Sequence, residues 1–195
     1  WQFDIKLASL RDILALEAIA IVSAALVASA SVMLLSISGV LTPAEIPYNI
    51  FRYAIGDLIG ISIITPFLLI LANTGGAPRP TLEAGIQGLA ILAALGLAFG
   101  FSSLPHFRLF NVMFFPIIWI ALRHGLKGAT YGLLATEVGL IIALLISGPQ
   151  LTGVTTYQSL MLVLAFTGLA IGGLVTDRRR LEQELRPNQE SVSQI

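Results

Sequence analysis

The sequence predicts an all-α fold: a polytopic transmembrane helix bundle of about six spans with both termini cytoplasmic. Three observations carry this. Of the 195 residues 56% are apolar and only 11% charged, too few polar groups to coat a water-exposed domain of this length. The apolar residues run in blocks instead of alternating at strand or helix spacing. Lys and Arg gather in alternate connections between those blocks.

Residues 1–12 have neither a cationic leader nor a small-residue cleavage site and read as a cytoplasmic lead-in, not a signal peptide. The start at Trp1 without an initiator methionine is what a fragment or processed chain would show. A helix needs about 20 apolar residues to cross a hydrocarbon core of about 30 Å. Six blocks meet or approach that length: Ile13–Leu41, Ile50–Ala72, Ala84–Phe101, Leu109–Leu122, Leu126–Ile146 and Ser159–Val175. The fourth is short and holds Pro116, so it reads as a tilted, kinked or partly re-entrant piece. It is retained as a span because of the cations. Lys6 and Arg11, Arg79, Arg123 and Lys127, and Arg178, Arg179, Arg180 and Arg186 all fall on one side of six spans, whereas the opposite loops hold Arg108 alone.

The second block carries the most informative polar residues. Asp57 lies about 10 Å past the outer end of its helix at 1.5 Å per residue, and an acid at that depth faces a bundle interior, a partner or water. Arg52, five residues earlier, is off the same-face position for an intrahelical ion pair and reaches the interface by extending its stem. Glu17 sits one turn into the first block and is expected at the interface as well. Pro66 predicts a kink, with hydroxyls such as that of Thr65 to satisfy the freed carbonyl. Glu137 falls near the middle of the fifth block. For Asp57 and Glu137 two readings stand: an interhelical hydrogen bond that sets register, or a ligand, ion or proton site.

Glycine pairs at four-residue spacing occur at Gly56/Gly60, Gly96/Gly100, Gly128/Gly132 and Gly168/Gly172. Such pairs let helices approach closely. Internal bundle contacts are favoured over oligomer contacts, since glycine is common in membrane helices.

The absence of cysteine removes disulfides and thiolate metal sites, and zero net charge argues against nucleic acid. His106 and His124 fall on opposite membrane faces, so no metal and no cofactor is expected. No phosphate loop, nucleophile elbow or paired carboxylate occurs in an aqueous segment, so no enzyme activity is expected of this chain.

After the sixth block, 176–186 reads as a helix leaving the membrane without a break, with Glu182 placed to pair with Arg186. Leu174, Leu181, Leu185 and Val192 take coiled-coil positions if Arg178 and Asn188 fill the gaps, the start of a two-stranded signalling helix and a route to a homodimer. The alternative is a basic anchor in which Arg178, Arg179 and Arg180 meet lipid phosphate. Pro187 is expected to end the pattern, leaving 187–195 as a disordered tail.

Taken together, these segments resemble the bacterial membrane-associated sensor domains of the MASE family, specifically its first type. The matching residues are Phe3-Asp4 with Leu10-Arg-Asp-Ile-Leu-Ala15, Gly56-Asp57 with Gly60 and Thr65-Pro66, Phe115-Pro116 with Trp119, Arg123-His-Gly125 with Gly128, and the segment Arg178–Leu185. The resemblance implies a sensory input bundle over 13–175 in the bacterial inner membrane, feeding a histidine kinase, diguanylate cyclase or phosphodiesterase through the exit helix. Any catalysis would lie in such an output domain. By that resemblance the chain is expected to lack the family's opening helices before Trp1 and an output domain after Ile195. Glu137 has no counterpart in the family pattern, so the resemblance favours Asp57 as the ligand or switch residue. Two rival functions are a scaffold subunit docked on another integral-membrane protein and a small transporter or channel lined by Asp57 and Glu137.

Overall fold

The computed structural model describes residues 9–74, 81–100, 110–147 and 154–192. Five long helices account for most of them: α1 (Leu10–Ile37), α2 (Ile46–Thr74), α3 (Leu82–Gly100), α4 (Phe114–Ser147) and α5 (Val154–Val192). Short 3-10 turns at Pro43–Glu45 and Asn111–Met113 lead into α2 and α4. Lys6, Arg79, His106 and Arg108, and the family-like Phe3 and Asp4, lie outside the described residues.

Helix α1 starts at Leu10, earlier than its apolar block, because Ser9 and Asp12 form a reciprocal cap: each side chain meets the other's backbone N–H at 3.3 Å. Ala20, Ala24, Ala28 and Val32 form its buried stripe, and their small size lets the backbone approach a neighbouring helix closely. The rest of α1 is apolar and open, with Leu14, Ile19, Val22, Leu26, Met33 and Leu34 all exposed. An apolar surface this wide is unstable in water and suits lipid.

Among the described residues five stretches are long and apolar enough to cross a membrane, the fourth of them Asn111–Ile146. That stretch takes in both the fourth and the fifth apolar blocks, because a single residue joins them. Gly125 adopts φ 64, ψ −152, a conformation essentially limited to glycine, and there the chain reverses. A Cβ added to Gly132 would stand 3.3 Å from Ile117 Cδ1 and 3.2 Å from Ile120 Cδ1. In a straight helix Ile117 and Gly132 would be about 22 Å apart. So α4 is a hairpin of two arms, 114–124 and 126–147, with Pro116 buried in the first.

Helix α5 packs along this hairpin. Gly168 abuts Ile117 and Leu133, and Gly172 abuts Ala129 and Leu126. On another side Gly173 meets Leu10 and Ile13 of α1. The core is built from Ile13, Ile63, Phe110, Ile117, Leu133 and Leu164, each no more than 2% exposed. These contacts, with the Arg123–Glu83 ion pair that ties the first arm's end to the start of α3, bring the starts of α1 and α3, the Gly125 turn and residues 172–180 of α5 to one end of the bundle, the basic end.

One expectation changes at the exit. The described helix continues past Pro187 to Val192; proline there removes one N–H, and at a helix end clear of the bundle the freed carbonyl can turn to water. The Arg186 side chain lies outside the described set. The ion pairs that form are Arg178–Glu182 at 2.9 Å and Arg180–Glu184 at 3.0 Å.

Candidate functional site

A cleft of about 720 Å³ opens between α3 and the α4 hairpin at the basic end. Its walls are Gly88 and Ile91 on one side and Ile120, Gly128, Gly132 and Ala135 on the other. Its polar groups are Thr81, Gln87, His124, Lys127 and Tyr131. Three of these, His124 from the first arm and Lys127 and Tyr131 from the second, are set side by side by the Gly125 reversal. Gln87 is only 7% exposed, yet its Nε2 has no hydrogen-bond partner among the described residues, and neither has the buried Tyr131 hydroxyl. Buried polar atoms of this kind normally find partners. The Tyr131 ring itself is held edge-on by Phe67 of α2, with centroids 5.1 Å apart.

Charge at the mouth is unevenly matched. Glu83 receives the Arg123 Nε–H at 2.8 Å and has His124 Nε2 at 3.6 Å. Lys127 makes no ion pair among the described residues. The cleft therefore presents donors and a surplus cation above an apolar slot.

The same turn is bolted to α5. The Thr176 hydroxyl oxygen accepts the Leu126 N–H at 2.9 Å and donates its hydrogen to the Gly172 carbonyl at 2.9 Å. Leu126 opens the second arm, so Thr176 supplies an N-cap from another helix. Arg179 Nη2 donates to the carbonyls of Arg123 at 3.1 Å and Leu122 at 3.4 Å, which end the first arm. Both arms of the hairpin are thus bonded at the turn by residues on one face of the exit helix, one turn apart.

The residues singled out from sequence are not gathered in this cleft. Asp57 is half-buried on α2, next to Gly56, whose Cβ position lies 3.5 Å from the Gln158 amide of α5. Phe67, which touches the cleft residue Tyr131, lies about 15 Å further along α2 at 1.5 Å per residue. Thr65 is half-buried and Arg52 is exposed. Glu137 is half-buried on the second arm, with Oε2 lacking a partner among the described residues. No hydrogen bond or ion pair joins Asp57 to Glu137 there.

Glu17 overturns its expected interfacial place. It is 4% exposed and accepts the Ser62 hydroxyl of α2 at 2.6 Å, while its other oxygen has no partner among the described residues. Pro66 removes the N–H that would bond the Ser62 carbonyl, so α1 and α2 share a polar node where one backbone acceptor is also released. Removing the hydroxyl with Ser62→Ala strands a buried carboxyl. Thermal unfolding in detergent should show a loss of about 1–2 kcal/mol, the upper range for interhelical bonds in membranes. Glu17→Gln keeps an acceptor for Ser62 and should lose less.

Of the glycine pairs, Gly128/Gly132 and Gly168/Gly172 are closely packed inside the bundle, whereas Gly60 and Gly96 have nothing within 4 Å of their Cβ positions. Gly100 closes α3. Leu181 and Leu185 are 54% and 60% exposed.

One family model, MASE1, matches residues 1–179. No curated protein and no solved structure matches the chain.

Proposed function

We propose that this chain, which belongs to the MASE1 family, is the sensory input module of a bacterial histidine kinase or cyclic-di-GMP enzyme, lodged in the inner membrane with its basic end toward the cytoplasm. MASE1 is a family of membrane-associated sensory domains, and the chain is a multi-pass membrane protein. A ligand, lipid or partner bound within the bundle shifts helix contacts, and helix α5 carries that shift to an output domain.

The observation that supports this reading is the unbroken course of α5, Val154–Val192, through the Thr176 and Arg179 bonds to the hairpin turn. A helix that leaves the bundle without a joint passes rotation or translation along its own axis. A stimulus acts only to the extent that it binds two arrangements of the bundle unequally. The turn offers two such arrangements: Arg179 on the first arm's carbonyls, or Arg179 released to lipid phosphate.

In an intact receptor, Arg179→Met should shift basal output and blunt the response to stimulus, while membrane insertion and abundance stay as in the parent. Asp57→Asn in the same receptor should alter the response with insertion intact. Output indifferent to both substitutions would refute the proposal and turn attention to a scaffold role, for which co-purification with a larger membrane complex is the readout.

A further inference from the structure

We infer that the cleft between α3 and the α4 hairpin binds one anionic phospholipid, with its phosphate at His124 and Lys127 and an acyl chain along Gly88, Ile91, Ile120 and Gly132. Four features argue for this occupant. The cleft joins an apolar slot to a polar head, so its ligand is amphipathic. The head region is cationic, because Arg123 occupies Glu83 and leaves Lys127 without a counter-charge among the described residues. The buried Gln87 Nε2 and Tyr131 hydroxyl lack partners there, and a phosphate ester supplies acceptors for both. Finally, the cleft lies at the basic end of the bundle, level with the residues expected among lipid headgroups. Basic pockets between transmembrane helices on that side suit anionic headgroups. A zwitterionic lipid has the same chains but carries its own cation into a site that already has one.

Glycine makes the slot. Gly88 has nothing within 4 Å of its Cβ position, so its side of α3 is open to an acyl chain. His124 and Lys127 flank Gly125, so a headgroup held there touches the turn to which Thr176 and Arg179 are bonded. As an input to α5 this site rests on the sensory reading above; as a lipid site it does not.

The test is native mass spectrometry of the detergent-purified chain titrated with phosphatidylglycerol, phosphatidylcholine or free glycerol phosphate, with the thermal midpoint read in parallel. One phosphatidylglycerol should be retained in preference to phosphatidylcholine and should raise the midpoint. Lys127→Gln should weaken that retention about fivefold, the effect of one cation near an anionic headgroup. Gly88→Leu, whose Cβ would meet nothing within 4 Å, fills the slot and should abolish it, whereas Gly85→Leu, with an equally open Cβ position outside the cleft, should leave it unchanged. Equal retention of both lipids, or retention indifferent to Lys127→Gln and Gly88→Leu, overturns the proposal. So does glycerol phosphate matching the lipid, which would make the ligand a soluble anion. A bundle that selects phosphatidylglycerol while an intact receptor ignores lipid composition would keep the site and remove its sensory role.

Discussion

Replacing Gly125 with alanine is expected to destabilise the bundle by about 2–4 kcal/mol, the sum of two separable costs. The first is conformational: φ 64 with ψ −152 lies where side chains cost about 1–3 kcal/mol. The second is local. An alanine Cβ would stand 2.6 Å from Thr176 Oγ1, displacing the hydroxyl that caps Leu126 and bonds Gly172. Thermal unfolding in detergent measures the total, and Gly125→Ala combined with Thr176→Ala separates the parts. The double substitution should be less damaging than the sum of the singles, because both singles lose the Thr176 hydroxyl's bonds and the collision disappears once that hydroxyl is gone. A Gly125→Ala protein as stable as its parent would show that the turn is not held as described.

Gly172→Val should be at least as severe, by about 3 kcal/mol or more, beyond the usual overpacking range of about 1–3 kcal/mol. The Cβ would meet Ala129 Cβ at 2.8 Å, Leu126 Cα at 2.9 Å and the Gly125 carbonyl at 3.2 Å. Two of these are backbone atoms, which cannot swing aside as a side-chain tip can. Helix α5 must move off the hairpin, freeing Arg179. Tryptic cleavage within Arg178–Arg180 should accelerate together with the fall in midpoint. Gly60→Ala and Gly96→Ala, with nothing within 4 Å, should be neutral or slightly stabilising, since alanine favours a helix by up to about 1 kcal/mol over glycine. If all three glycines respond alike, close contact is not what distinguishes Gly172.

That contrast marks what the sequence can convey. Gly96/Gly100 and Gly168/Gly172 are the same pattern in the same kind of apolar helix, and only the three-dimensional arrangement separates Gly96, with open space beside it, from the buried Gly168/Gly172. The apolar blocks and one-sided cations were legible because bilayer thickness and loop charge act on composition directly. The start of α1 was legible in principle: Ser9 and Asp12 stand at capping-box spacing before an apolar run, yet the apolar block drew the boundary at Ile13. Glu17 was misplaced because depth was counted along one helix, whereas its burial depends on Ser62 crossing at that level. The cleft was less legible still. Gln87 and Lys127 are ordinary residues 40 positions apart in sequence, and nothing local says that a one-residue reversal brings their helices together. Gly125 was quoted for its resemblance to a family pattern; its positive φ gives that glycine a physical reason.

The hairpin in α4 also bears on how the protein is made. The first arm, 114–124, spans about 16 Å at 1.5 Å per residue, and the preceding 3-10 turn adds about 6 Å. This described part of the arm is shorter than a hydrocarbon core of about 30 Å. An arm this short is poorly anchored if it enters the lipid alone during synthesis. It has to wait at the translocon until 126–147 emerges and folds back on it, so the unit of insertion is the pair, and the one-glycine turn sets how soon that pair can close.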